Sequence, residues 1–409
     1  MKIVELQEGN SYTLNNNELI DFKEYLLKNP SLPVHIIKNN LIFDNYIIGS
    51  ITVKNTLIII SPRIKNFTSN DYFEMQLYSE GIISDKVSTL LNENTEYGIQ
   101  ENLVSIFLNC LKKLVNLGLD GYFINKVSYS NTVHGRILVN RIDPVHLIQN
   151  EIPIQYDIHT FQTTDNKLIK LALNKCRVLI RGTAQHQEFA QVDSYFQDIV
   201  VSHQEINQLI QLKKDSYYNN LHMNPHYSYA IKLAIKILSD IKLNMKNHKL
   251  LGSSFLVNSN DLFEKYARAV LKNNLNSSIS KWNIPHHVAK FTIDNSDYYK
   301  SYVPDVLIDY NKNKNSTYAL LDAKNKDISD HQNIANLPDL YQVVFYCQSL
   351  KTKLGGLIYP TKDNISPTKI VLDRFSDINF YAFYINFSLP LKQRNLEFVN
   401  NVSTKFSLN

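Results

Sequence analysis

Glycine is scarce in this chain, with 11 among 409 residues. None of them falls in a GxxxxGK[ST] arrangement, the loop whose backbone amides cradle nucleotide phosphates. The chain therefore carries no P-loop, and any nucleotide energy it uses must be bound by another polypeptide. Cysteine is scarcer still: Cys110, Cys176 and Cys347 stand far apart with no CxxC pair. That spacing argues against a disulfide framework or a zinc ribbon and fits a reducing cytoplasm. No stretch approaches the ~18 consecutive apolar residues that a spanning helix needs, so no membrane partner is expected. The opening MKIVELQEGN turns acidic and polar too early for a signal peptide. There is no internal repeat and no low-complexity linker.

Apolar residues make up 44% of the chain. That is enough for real cores, and the length favours two or three domains rather than one. The formal charge of +5 is unevenly placed. From residue 246 onward there are 20 Lys and Arg against 14 Asp and Glu, while the preceding 245 residues carry 23 against 24. The positive excess lies in the C-terminal part, where a polyanion such as DNA would be attracted. Ordinary surface lysine would give the same mild excess.

Patterning gives a mixed α/β chain, α+β overall. Asn45–Lys54 and Thr56–Ser61, the latter ending before Pro62, read as a hairpin of β-branched strands. Residues 98–117 carry apolar side chains at helical spacing and end at Gly118. Two short extended runs flank His134-Gly135-Arg136. Helical spacing returns from Asn166 to about Leu212 and, after Asn224-Pro225, over 227–245. Three domains are expected: a β-rich mixed domain over 1–155, a helical arm over 156–245, and a C-terminal domain over 246–409. The polar stretch Lys246–Asn260 is read as the boundary.

The chemistry lies in two short apolar runs. Residues 303–310 read VPDVLIDY and residues 317–324 read TYALLDAK, with the polar segment NKNKNS between them. A hairpin symmetric about the bond between Asn313 and Lys314 puts Asp305 opposite Asp322. Opposed residues share a face with Cβ atoms ~4.5–5.5 Å apart. Lys324 joins that face because strand side chains alternate. A one-residue slip would break the arrangement. Two carboxylates this close repel, and a divalent cation relieves the repulsion. Mg²⁺ takes carboxylate oxygens and retains waters. It can polarise a phosphodiester and acidify a bound water, while Lys324 steadies the water or the phosphorane charge. The competing reading is a solvated hairpin, which the apolar strands disfavour.

Pro304-Asp305 followed by Asp322-Ala323-Lys324 resembles the PD-(D/E)xK nuclease signature, with Asp in the D/E position. The surrounding order is similar to that superfamily's core: a helix at 260–273, a strand at 287–293, the hairpin, a helix at 338–350 and a strand at 356–359. This implies a mixed central sheet flanked by helices. Gln342 and Tyr346, at i and i+4 on one helical face, resemble the QxxxY extension of one branch, where the helix contacts the site or the DNA. Pro338 suits the helix start, and Gly355-Gly356 suits a chain reversal after it. Leu262-Phe263-Glu264, Asp339-Leu340-Tyr341-Gln342 and Leu357-Ile358-Tyr359-Pro360 are, with that signature, similar to the McrC family, nuclease subunits of McrBC modification-dependent restriction systems. Ser61-Pro62-Arg63-Ile64, His134-Gly135-Arg136-Ile137, Asp165-Asn166-Lys167-Leu168 and Asn224-Pro225-His226-Tyr227 extend the likeness upstream.

The resemblance implies a two-part machine. A McrC-like subunit docks, through its N-terminal domain, on a ring of McrB-like AAA+ GTPases, stimulates hydrolysis, and cuts double-stranded DNA when the motor translocates or collides. It implies Mg²⁺, with Mn²⁺ as a substitute, held by Asp305, Asp322 and Glu264. Asp261-x-x-Glu264 is equally readable as a capping box. Gln342 and Tyr346 read as site support or a helix-surface pair, and Lys326 as a phosphate contact or a solvated strand-end lysine. His286-His287 and His222/His226 read as core or surface histidines, since Pro225 spoils the second pair and no cysteine accompanies either. Arg63 and Arg136 read as contacts to a partner ATPase or as ordinary salt bridges. Two other functions stay open: a self-sufficient repair or mobile-element nuclease, and a non-catalytic adaptor of an AAA+ motor. Base readout is expected to belong to the partner.

Overall fold

A computed structural model of the chain describes residues 2–83, 99–180, 183–201, 226–246, 249–280, 284–294 and 296–408. The chain is mixed α/β and divides into two compact units, Met1–Ile99 with Lys242–Asn409, and Gln100–Ile241. This grouping differs from three consecutive domains divided at 155 and 245. The reason lies in strand pairing. Lys249–Asn258, within the polar stretch expected to be a boundary, is a strand hydrogen-bonded antiparallel to Ile47–Val53. Its Gly252-Ser253-Ser254 centre resembles a linker, but the neighbouring strand satisfies its backbone, and Ser254 accepts a hydrogen bond from the buried Tyr25 hydroxyl at 3.0 Å.

In the first unit, the N-terminal sheet runs in the order Lys2–Gln7, Thr56–Ser61, Ile47–Val53, Lys249–Asn258, Lys242–Lys246. The expected hairpin is present as the antiparallel pair Ile47–Val53 and Thr56–Ser61. Helix Asn16–Lys28 is closed by an Asn15/Glu18 capping box. It buries Phe22 and Tyr25 in a core with Ile51, Val53, Ile58 and Ile60.

The C-terminal part of this unit holds a second five-stranded sheet, in the order Val306–Ile308, Ala319–Ala323, Leu354–Thr361, Asn379–Asn386, Thr368–Ile370. It is mixed, with parallel pairing in the middle and antiparallel pairing at both edges. Its inner strands are nearly continuous apolar runs, as burial on both faces requires. On one face Val343 and Cys347 of helix Leu337–Ser349 join Leu320, Leu357 and Phe380 in a core. On the other, Tyr381 and Phe383 pack against Phe406 of helix Leu391–Phe406. Gly355 and Gly356 do not turn the chain. They lie inside strand Leu354–Thr361, and a Cβ on Gly356 would stand 2.8 Å from the Tyr381 carbonyl oxygen and 2.9 Å from Leu321 Cδ2. The reversal is made by Lys351, at φ 53°. The strand expected at 287–293 is present as His286–Ile293, but it pairs with Ser296–Tyr302 in a separate two-stranded ribbon. Both strands are mostly exposed.

The second unit combines helices Ile99–Leu117, Thr164–Cys176, Thr183–Ser194 and His226–Asp240 with a three-stranded sheet of Tyr122–Ser130, Ile152–Thr160 and Arg136–Ile137. Tyr227 donates to Asn166 Oδ1 at 2.6 Å and ties two of the helices together. The helices expected of an arm therefore share a unit with the preceding helix and sheet. The helix expected to reach 245 ends at Asp240, and Lys242–Lys246 is a strand of the other unit. The continuation expected from 202 to 212, with His222, Asn224 and Pro225, lies outside the described residues.

Candidate active site

The hairpin register sets this site. Val306 pairs with Leu321, Leu307 with Leu320 and Ile308 with Ala319, the alignment symmetric about the Asn313–Lys314 bond. The ladder ends at Val306, and the next residue outward on that strand is Asp305. Its carboxylate replaces the missing backbone partner: Oδ2 accepts the Ala323 amide hydrogen at 2.7 Å. Asp322, 1% exposed, stands close enough that its charge acts on Asp305. Lys324 hydrogen-bonds through its amide to the Ile358 carbonyl at 2.8 Å. Its ammonium lies 2.6 Å from Asp322 Oδ2. That close ion pair is the partner of the buried Asp322 Oδ2.

Helix Leu337–Ser349 completes one wall. Lys324 Nζ donates to Gln342 Oε1 at 2.8 Å, and Gln342 Nε2 donates to the Tyr346 hydroxyl at 2.8 Å. Gln342 is thus held in one orientation between lysine and tyrosine. Tyr346 stacks on Tyr302, with ring centroids 4.8 Å apart. Lys326, partly exposed, donates to both carboxylate oxygens of Asp339, at 2.7 and 2.8 Å. Asp339, 4% exposed, also lies 3.9 Å from Lys324. Sequence reasoning missed Asp339. Its signal was the i, i+3 spacing to Gln342, which puts both on one helical face. Glu264 is half-buried on helix Ser259–Asn274, close enough that its charge acts on Asp305. The helix is capped by Asn258, which accepts from the amides of Asn260 and Asp261. Glu264 therefore lies in the second turn, and the Asp261/Glu264 capping box is not formed.

The electrostatics follow from burial and crowding. Desolvation, then the charges of Asp322 and Glu264, push the Asp305 carboxyl well above the usual carboxylate range, against the Ala323 amide and Lys324. Desolvation also raises Asp322; Lys324 pulls it down, Asp339 pushes it up, and the net direction is up. Burial disfavours the Lys324 ammonium, but Asp322, Asp339 and Asp305 outweigh it and hold the lysine above its ordinary value. Asp305 and Asp322 share the one ammonium of Lys324, so the pair is short of positive charge, and the raised Asp305 carboxyl is where that shortage is visible. Among the described residues no group of three or more His, Cys, Asp or Glu side chains forms a ready-made metal cage. Two carboxylates suit Mg²⁺, which keeps several waters and completes its shell with substrate phosphate. His286, buried, stacks on Tyr302, and His287 Nδ1 lies 2.8 Å from Ser301 Oγ.

A family model described as McrBC 5-methylcytosine restriction system component matches residues 42–360. Among solved structures, the chain is similar to one in the refined half-complex from the tetradecameric assembly of Thermococcus gammatolerans McrB AAA+ hexamers with bound McrC. The two are 15% identical, with a TM-score of 0.66, over 98% of this chain and 100% of that chain. A chain in the cryo-EM structure of the Thermococcus gammatolerans McrBC complex is 15% identical, with a TM-score of 0.48, over 67% of this chain and 88% of that chain. No curated protein sequence matches. The first structure shows a shared fold over nearly the whole of both chains. The family match spans well over half of the sequence, and so the chain belongs to the McrBC 5-methylcytosine restriction system component family, to which its McrC-like motifs pointed.

Proposed function

We propose that this chain is the DNA-cutting subunit of an McrBC-type restriction complex: a metal-dependent endonuclease with a PD-(D/E)xK core, switched on by a partner AAA+ GTPase whose hydrolysis it stimulates. The observation that carries the reading is the convergence of Asp305, Asp322 and Lys324, two crowded carboxylates served by one ammonium. Asp305 and Asp322 would hold Mg²⁺ or Mn²⁺, with Glu264 beside them. When bound, the ion supplies Lewis-acid activation of a water and of the scissile phosphate.

The chain's own residues supply the rest. Lys324 presents a fixed ammonium at the carboxylate pair, placed to hold an attacking water or to meet charge developing on phosphate oxygens. Gln342 and Tyr346 prevent that ammonium from swinging away. Lys326 is held by Asp339 and supports the wall. Support for docking on a motor comes from the second unit, whose sheet region exposes Phe123 at 71%, Val139 at 73% and Ile148 at 84%; apolar exposure of this kind marks interaction surfaces. The similar Thermococcus assembly is one of McrB AAA+ hexamers with bound McrC. No described helix is long and apolar enough to cross a membrane.

The test is reconstitution. The purified chain should cut methylated duplex DNA poorly alone and efficiently with its partner, GTP and Mg²⁺. Asp305→Ala and Lys324→Ala should abolish cutting and leave GTPase stimulation intact. Loss of both activities in a folded variant would refute this division of labour. Vigorous cutting without a partner would make the chain a stand-alone nuclease.

A further inference from the structure

The peptide that follows Lys324 is held by residues remote in sequence. Asn325 is 3% exposed. Its carbonyl oxygen accepts from Arg63 Nη2 at 2.7 Å and its side-chain oxygen from the Tyr72 hydroxyl at 2.8 Å. Its side-chain nitrogen donates to Asn260 Oδ1 at 3.3 Å. Arg63 also donates to Asn260 Oδ1 at 3.1 Å, and its guanidinium lies 4.4 Å over the Tyr46 ring. The clamp is itself anchored. Buried Glu8 stands 3.6 Å from Arg63 Nη1 and accepts from the Arg63 amide at 3.2 Å and from the Ser259 hydroxyl at 3.1 Å. Two residues further on, the Lys65 amide donates to Asp327 Oδ2 at 3.2 Å.

A lysine ammonium sits at the end of a four-carbon stem, so its aim is only as good as its backbone anchor. On the N-terminal side that anchor is the sheet, through the bond from the Lys324 amide to Ile358. On the C-terminal side the sheet has ended, and the segment Arg63–Tyr72 takes its place. We propose that Arg63 and Tyr72 are positioning residues for Lys324. By fixing Asn325, they keep the ammonium on Asp322 and Gln342, and the N-terminal part of the chain thereby supplies a piece of the catalytic scaffold. The proposal rests on the nuclease reading, and the experiment separates the two.

Full-length Tyr72→Phe, Arg63→Lys and Lys324→Ala are compared with wild type, each with the partner GTPase, methylated duplex and Mg²⁺. Tyr72→Phe removes one hydroxyl. Its single-turnover cleavage should fall ~10- to ~100-fold, the scale on which supporting contacts act. DNA affinity and the Mg²⁺-induced rise in Tm should stay at wild-type values. Without metal, amide exchange over residues 324–327 should speed up while that of strand Leu354–Thr361 does not. Arg63→Lys keeps the charge but loses the fork, and should behave alike; it decides the matter if Tyr72→Phe does not fold. Wild-type cleavage in both variants, unchanged exchange at 324–327, or parallel losses of DNA and Mg²⁺ binding would overturn the positioning role. If Lys324→Ala cuts like wild type, the nuclease reading fails instead, and the exchange data still report whether the clamp exists.

Discussion

Asp305 and Lys324 face each other across the site, yet neutralising them should move stability in opposite directions. The Asp305 carboxyl is raised by burial and by the charges of Asp322 and Glu264. A carboxyl raised in the folded state binds more protons there than in the unfolded chain. Stability therefore falls as pH climbs from the ordinary carboxylate value of about 4 toward the raised one. Asp305→Asn removes that loss while its amide oxygen can still accept from Ala323. Without divalent metal at neutral pH, its Tm should rise by about 2–4 °C, the shift per kcal/mol for a unit of this size, and the decline in Tm with pH should flatten. Lys324→Met strips the pair of its ammonium and leaves buried carboxylates unpaired, a loss of about 3–5 kcal/mol, so its Tm should fall. Both variants should be inactive. Melting curves in EDTA across pH check the signs; a lower Tm for Asp305→Asn would mean that the pair is not electrostatically strained.

Among the elements, helix Leu337–Ser349 carries the most at the site, since Asp339, Gln342 and Tyr346 all ride on it. Its start is fixed by Asn336, whose side chain accepts from the Asp339 amide at 3.1 Å. Asn336→Ala should cost about 1 kcal/mol of stability and slow cleavage beyond what that loss explains, because the cap sits on the residue that holds Lys326. Cleavage at the wild-type rate in a folded Asn336→Ala protein would show that the site tolerates movement of the helix start. The hairpin shows what sequence can carry. Its register was legible because the turn is polar, the strands are short and apolar, and symmetry leaves one alignment that matches both. The Gln342–Tyr346 pair was legible from helical spacing. The clamp on Asn325 was not, because Arg63 and Tyr72 are more than 250 positions away and no local periodicity marks a contact of that separation. Nor was strand Lys249–Asn258, whose Gly252-Ser253-Ser254 centre interrupts the β-branched, alternating signature and is held by a partner strand about 200 residues earlier.

At the scale of the whole molecule, that strand decides where the chain can be divided. A fragment beginning near 246 would look like a complete nuclease domain from its composition. It would lack Ile47–Val53, leaving Lys249–Asn258 with a bare edge of unpaired amides and carbonyls. It would also lack helix Ser69–Ser79, where Glu74 pairs with the buried Arg394 at 2.9 Å and Asp71 pairs with Lys362 at 2.6 Å. Losing one partner of a buried ion pair is costly in itself. The fragment 246–409 should therefore aggregate or expose apolar surface, whereas a chain in which a flexible linker replaces residues 100–241 should fold, because those residues form their own compact unit. The linked chain should melt cooperatively and bind Mg²⁺, but lose partner-dependent activation if the exposed apolar sheet of the deleted unit is the docking surface. Calorimetry and dye binding on the fragment and the linked chain distinguish the cases. A soluble, cooperatively melting 246–409 fragment would show that the N-terminal sheet merely decorates a self-sufficient domain rather than completing it.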